Sequence, residues 1–179
     1  MKFVGCLFVI AGVSLPQTIP GMSPRRYLET AASDVSAQVV WSHQLGILEN
    51  AEARAVFTAL AVMDPSHVGH QILGVRVDLS KPDWKHVVYV PESDIPMLKK
   101  HADWLAKDAK EYPKETALFM AGGLASDPVP PLFLGYRRLE HRPTLYLDGP
   151  GLPQFRFAGV PPSRLATIFA GAVRALKAH

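Results

Sequence analysis

The chain has 179 residues, with 48% apolar residues, 20% charged residues and a formal net charge of +3. This composition is typical of one globular domain and excludes an intrinsically disordered chain. The near balance of basic and acidic residues gives no reason to expect a polyanionic partner. Because Cys6 is the only cysteine, the sequence also excludes a disulfide within the chain.

The first 21 residues have the pattern of a secretory signal. Lys2 is followed by an uncharged, mainly apolar run from Phe3 to Leu15. This run is too short for a transmembrane helix, which needs about 20 residues, but it matches the apolar core of a signal, which has about 7–15 residues. We predict a signal peptide at residues 1–21 and a single mature domain at 22–179, periplasmic or secreted and not inserted in a membrane. The alternative is a cytoplasmic protein in which Phe3–Ile10 forms a buried strand.

The next segment predicts a short arm, a strand and a helix. The arm lies around Pro24–Thr30, and apolar and polar residues alternate from Val35 to Leu45, which predicts a strand with Trp41 on its buried face. Asn50 is a good helix N-cap. Apolar residues follow at helical spacing, namely Ala53, Val56, Phe57, Leu60 and Ala61. This spacing predicts a helix over Asn50–Met63, ended by Asp64-Pro65.

The middle of the chain predicts a hairpin followed by a second helix. Leu73–Leu79 alternates in polarity and His86–Val90 is rich in β-branched and aromatic residues, so we expect these strands to pair. An apolar stripe predicts a helix over Asp94–Lys110, and Thr116–Ala121 predicts a short strand. The resulting order is βαββαβ, which is the arrangement of ferredoxin-like folds.

The last third predicts three strands and a third helix. The strands are Leu132–Leu139, Thr144–Leu147 and Gln154–Ala158, and the helix is Ser163–Lys177. We therefore predict an α+β fold, with a mainly antiparallel sheet of about six strands and three helices packed on one of its faces. The expected core includes Trp41, Phe57, Leu98 and Ile168.

Two junctions between a strand and a helix have similar sequences. Residues 90–95 read Val-Pro-Glu-Ser-Asp-Ile and residues 160–165 read Val-Pro-Pro-Ser-Arg-Leu. One interpretation is a duplicated ββα unit. The other is that such junctions recur because serine and proline both suit the first residues of a helix.

Asp64, His67 and His70 form the strongest local cluster of candidate metal ligands. Imidazole and carboxylate groups suit zinc, but a site needs three or four rigidly held ligands, which a short turn does not provide. The simpler interpretation is a loop with solvent-exposed histidines. We therefore predict no metal and no cofactor. The sequence also lacks a G-x-S-x-G nucleophile motif, and no cysteine remains once the signal is removed.

A basic run near the end of the chain is the best candidate for a contact surface. It contains Tyr136, Arg137, Arg138 and Arg142, and Trp84 lies in a separate loop where it either packs on the sheet or faces a partner. Arginine and aromatic residues are enriched in the hot spots of protein interfaces. No aromatic-basic RNA-binding strand accompanies them, so we predict a protein partner and no nucleic acid.

These observations favour a non-enzymatic, protein-binding module of the cell envelope, such as an inhibitor or an immunity-type protein. The alternative is a small hydrolase, either with or without a bound metal, that uses Asp64, His67 and His70. The two functions predict different surfaces. A binding protein has an exposed edge or a convex surface with aromatic residues and arginine, whereas an enzyme has a deep pocket where a histidine meets a carboxylate.

Overall fold

The computed structural model describes residues 22–33, 38–64, 67, 69–111, 132–139, 142–149 and 151–179, and for Arg138 and Leu139 it describes the backbone alone. The helices are α1 (Pro24–Ser33), α2 (Ile95–Glu111) and α3 (Pro162–Ala178). The strands are β1 (Val39–Glu49), β2 (Arg54–Met63), β3 (Gln71–Lys81), β4 (Trp84–Pro91), β5 (Phe133–Leu139), β6 (Arg142–Asp148) and β7 (Phe155–Ala158). The predicted signal peptide and the predicted strand Thr116–Ala121 lie outside the described residues.

The strands that the structure describes form two antiparallel sheets. The first sheet has the order β1-β2-β3-β4, and the second sheet has the order β5-β6-β7. The predicted α+β class is confirmed, but the single sheet of about six strands is wrong. Each sheet pairs only strands that follow one another in the chain, and α2 separates the two groups in sequence.

The predicted helix over Asn50–Met63 is wrong, because β2 occupies Arg54–Met63. Asn50 does cap backbone N–H groups, as expected, but it does so in the turn between two strands. Its Oδ1 accepts hydrogen bonds from the backbone nitrogens of Glu52 at 3.0 Å and Ala53 at 2.8 Å. The predicted ferredoxin-like order required a helix at this point, so that order is not confirmed.

Most of the other predicted elements in the described regions agree with the structure. The exception is the predicted strand Val35–Leu45, because β1 ends at Glu49, four residues later, and Val35 lies outside the described residues. The hairpin of β3 and β4 is confirmed, and α2 and α3 each begin and end within one residue of their predicted bounds. Phe57, Leu98 and Ile168 are at most 2% exposed. Trp41 is only partly buried and packs at the border of the core.

The first sheet has an inner face and an outer face, each covered by different elements. A single cluster of buried residues joins the inner face to α2, α3 and the second sheet, and within it the rings of Phe57 and Phe169 meet edge to face with centroids 5.9 Å apart. The outer face carries a smaller cluster in which Leu28 and Ala31 of α1 pack on β2 and β4. The helices therefore do not all pack on one face, because the apolar stripe of α1 is buried on the opposite side.

The two similar junctions have similar backbones. Pro91 (φ −66°, ψ 155°) and Pro161 (φ −74°, ψ 146°) are both extended, and each lies just before a helical segment. In each case the helix follows a run of consecutive antiparallel strands. This geometry is compatible with both interpretations of the sequence similarity, and the duplicated unit stays a prediction.

Candidate functional site

Trp84 packs back on the protein. It lies at the start of β4 and is half-buried, with its ring centroid 5.4 Å from that of Phe155 and 5.5 Å from that of His86. The sequence allowed two roles for Trp84, packing on the sheet or facing a partner. These contacts favour packing on the sheet. Trp84 lies next to the turn between β3 and β4, where it pairs with Lys81.

The predicted basic surface is smaller than its sequence suggested. Tyr136 is 3% exposed and belongs to the core, so its ring is not available to a partner. The alternation of β5 explains this, because adjacent side chains point to opposite faces and Arg137 is exposed where Tyr136 is buried. Arg142, at the start of β6, is exposed as well, and it pairs across the hairpin with Leu139.

Trp84, which belongs to the first sheet, contacts the second sheet at the end opposite Arg142. Trp84 contacts Phe155, which pairs with Leu147 of β6. Leu147 is five residues along that strand from Arg142, or about 17 Å at the usual rise of a β-strand. The structure therefore does not bring the predicted contact residues together in one site.

Asp64 lies at the centre of a small polar cluster. One of its oxygens accepts a hydrogen bond from the Tyr27 hydroxyl, and the other is 3.1 Å from His67 Nδ1. The ring centroids of His67 and His70 are 5.9 Å apart. An imidazole oriented by a carboxylate can act as a general base. No local sequence pattern predicts the contact with Tyr27, because this residue lies 37 positions away from Asp64.

The three candidate metal ligands lie near one another, at the end of β2 and in the turn that follows it. Among the residues that the structure describes, no group of three or more histidine, cysteine, aspartate or glutamate side chains could hold a metal ion. The Asp64 carboxylate instead links α1, through Tyr27, to the end of β2. This link supports a structural role for Asp64.

The sheet edge formed by β1 is a feature that the sequence did not predict. β1 lies at the edge of the first sheet and has eleven residues. Its only Asp, Glu, Lys or Arg residue is Glu49, the last one. Val39 is 53% exposed and Val40 is 43% exposed. Natural proteins usually protect such an edge with charges, proline, a short strand or a covering element, and β1 has only two irregularities in its pairing with β2.

The edge formed by β7 is closed by side chains. This strand has only four residues. The Asn50 side-chain amide donates to the Arg156 carbonyl oxygen at 2.8 Å, and Lys81 Nζ donates to the Gln154 carbonyl oxygen at 3.0 Å. Both contacts use backbone acceptors that an added strand would need.

The other two edges are also protected. At the far side of the first sheet, β4 contacts α1. At the far side of the second sheet, β5 contacts α2 and carries Arg137 and Arg138. β1 also contacts a helix, α3. Among the edge strands that the structure describes, β1 is nevertheless the longest, and it carries no Asp, Glu, Lys or Arg before its last residue.

An aromatic surface lies beside this edge. The Trp41 ring stacks on the imidazole of His179, with centroids 4.8 Å apart, and it is nearly parallel to His43 at 6.3 Å. His43 and His179 are exposed and Trp41 is partly exposed. The β1 edge, which we define as Val39 to Glu49, thus combines a strand that pairs with β2 alone among the described strands with apolar and aromatic side chains.

The chain matches no known protein family, no curated protein and no solved structure. Among the helices that the structure describes, none has the length and apolar character needed to cross a bilayer.

Proposed function

We propose that this protein is an exported, non-enzymatic module of the cell envelope that binds another protein, such as an inhibitor or an immunity-type protein. The observation that supports this proposal most is the β1 edge, which is long, uncharged before Glu49 and exposed at Val39 and Val40. An extended segment of a partner can add to such an edge as a further strand.

The chemistry of the β1 edge indicates what kind of segment it binds. Main-chain N–H and C=O groups supply affinity, and alternating side chains supply specificity. Next to Val39 and Val40 an apolar or β-branched segment gains burial, whereas a run of charged residues loses hydration. The partner segment is therefore extended, largely apolar and poor in proline.

Arg137 and Arg142 provide a second proposed contact region, and Trp84 a third. The two arginines are exposed near the tip of the β5–β6 hairpin. Arginine supports interface recognition through its planar group of hydrogen-bond donors. Because these regions lie on different strands, single substitutions can distinguish their contributions.

The test is capture of a partner from an extract of the host's envelope. The bait is the protein as the host processes it, compared with Val40→Lys, which places a charge on the open edge. A matched control is Ala158→Lys, which places the same charge at an exposed position on the closed edge of β7. We expect a specific partner to be lost with Val40→Lys and retained with Ala158→Lys.

Other outcomes of the same experiment count against the proposal. Capture that survives Val40→Lys but is lost with Arg142→Ala moves the contact to the β5–β6 hairpin. If the wild-type protein captures no partner, a protein-binding function is refuted. Export is tested separately by N-terminal sequencing of protein from the native host, and an intact Met1 in the cytoplasm would refute it.

The hydrogen bond between His67 and Asp64 supports a second candidate, a small hydrolase. In that case His67 acts as a general base oriented by the carboxylate. A panel of ester, amide and phosphoester substrates tests this function. Turnover that is lost in both His67→Ala and Asp64→Asn, while both variants remain folded, would replace the binding function with an enzymatic one.

A further inference from the structure

A small open pocket lies where the first sheet meets β7. It has a volume of about 230 Å³ and is lined by Glu52, Ala53, Lys81, Gln154 and Arg156. These residues come from three separate segments, namely the β1–β2 turn, the end of β3 and the region of β7. The pocket is therefore formed by tertiary structure and has no counterpart in any local sequence motif.

Gln154 holds two cationic side chains beside this pocket. Lys81 Nζ donates to its carbonyl oxygen at 3.0 Å, and Arg156 Nε donates to its side-chain Oε1 at 3.1 Å. Lys81 Nζ also lies 5.0 Å from the centroid of the Phe155 ring. Both cations are thus fixed against the same residue, and each retains further N–H donors, two on the lysine and four on the arginine.

The charges around the pocket are not neutralised by one another. None of Glu52, Lys81 and Arg156 forms an ion pair with a residue that the structure describes, so Glu52 lies more than 4.0 Å from both cations. The pocket is therefore lined by two cations that contact Gln154 and by a carboxylate that is not paired with either of them. A ligand that carries both charges can satisfy both kinds of group.

We infer that the pocket lined by Glu52, Lys81 and Arg156 binds a small zwitterion of the α-amino acid class. The ligand carboxylate accepts hydrogen bonds from Lys81 and Arg156, and the ligand ammonium group donates to Glu52. The volume is below the range of about 300–1,000 Å³ that is usual for drug-sized ligands, which favours a small molecule. Glu52 disfavours phosphate, because a second negative charge on the ligand would face its carboxylate.

This inference does not depend on the proposed protein-binding function, because the pocket and the β1 edge use different residues. The test is an NMR titration of the protein as the host processes it, following the backbone amides of Ala53 and Arg156. The probes are L-alanine, propionate, which lacks the ammonium group, ethylamine, which lacks the carboxylate, and inorganic phosphate. We expect saturable shifts with L-alanine and at least about tenfold weaker binding of the other three probes.

Two substitutions separate the roles of the charges. Arg156→Gln weakens the binding of L-alanine and of propionate, whereas Glu52→Gln weakens the binding of L-alanine and leaves propionate unchanged or tighter. Arg174→Gln, an exposed arginine on α3, is the matched control and changes neither. The proposal is overturned if L-alanine causes no saturable shift, if phosphate binds as tightly as L-alanine, or if Arg174→Gln has the same effect as Arg156→Gln.

Discussion

On each face of the first sheet, a helix packs closely against a glycine, but the two faces are covered to different extents. On the inner face, a Cβ at Gly46 would lie 2.8 Å from Ile168 Cγ1 of α3. On the outer face, a Cβ at Gly74 would meet Leu28 of α1 and would lie 2.6 Å from the carbonyl oxygen of Val90. In both places the absence of a side chain allows close packing. The inner contact belongs to the main core, whereas the outer contact belongs to the smaller cluster beneath a ten-residue helix.

This difference in coverage distinguishes the buried residues that determine stability from the exposed residues that remain available to partners. The inner face is covered by α2, α3 and the second sheet, and its central residues are fully buried. On the outer face, α1 contacts β2, β3 and β4, while Val39, Ser42 and Gln44 of β1 are exposed. We therefore expect substitutions on the inner face to destabilise the protein most.

The largest effect is expected from Phe57→Ala on the inner face. Phe57 is 0% exposed and meets Phe169 edge to face, so truncation removes buried area and leaves a cavity. We expect the free energy of unfolding to fall by about 3–5 kcal/mol, measured by urea denaturation with tryptophan fluorescence. The control is Arg54→Ala on the same strand, where an exposed side chain is lost. A change below that of the control would contradict the assignment of Phe57 to the core.

A smaller effect is expected from Leu28→Ala on the outer face. Leu28 is also 0% exposed, but it belongs to the smaller cluster and not to the main core. We expect a loss of about 2 kcal/mol, at the low end for a buried leucine. Hydrogen exchange should become faster in α1 and stay unchanged in β2 and β3. Glu29→Ala, next along the helix and exposed, should change little, and equal acceleration in β2 would show that the two faces are not independent.

The two faces also explain which elements the sequence could predict. Helices α2 and α3 have one apolar stripe and one polar side, and their bounds were predicted within one residue. Strand β2 is apolar on both faces because each face is covered, so its sequence lacks the alternation of a half-buried strand. The available signal was the missing polar side of the proposed helix, since Ala55, Ala59 and Val62 are also apolar.

The candidate sites were harder to predict because they depend on contacts between distant residues. The exposure of Arg137 follows from the alternation of its strand, and the same alternation buries Tyr136. By contrast, the β1 edge is recognisable only from the order of strands in the sheet, and the pocket only from the packing of β7 against two turns. No spacing within the sequence brings Lys81 to Gln154, which is 73 residues away.

Substitution of the two glycines compares the faces directly. Both Gly46→Ala and Gly74→Ala add one methyl group to a crowded position, and overpacking of this kind typically costs about 1–3 kcal/mol. We expect Gly74→Ala to be the more destabilising of the pair, because the Val90 carbonyl oxygen belongs to the backbone and cannot rotate away, whereas Ile168 can change its side-chain conformation. Urea denaturation of both variants measures the order, and the reverse order would show that α1 and β4 yield more easily than α3.

The smallest effect is expected from the substitution of His101 on α2, and this effect on stability depends on pH. His101 Nδ1 is buried without a hydrogen-bond partner among the described residues. Burial, and secondly the charge of Lys100, lower the pKa of His101 below its usual value of 6.5. The unfolded chain therefore binds a proton at a higher pH than the folded chain does, so stability is lost as the pH falls from about 6.5 through the lowered pKa. The slope of the free energy of unfolding against pH that arises from this histidine corresponds to less than one proton.

His101→Leu should remove this contribution to the difference in thermal midpoint between pH 7.5 and pH 5. Lys100→Gln should remove a smaller part of it, because burial is the larger cause. If Lys100→Gln removes as much of the slope as His101→Leu, charge rather than burial controls this group.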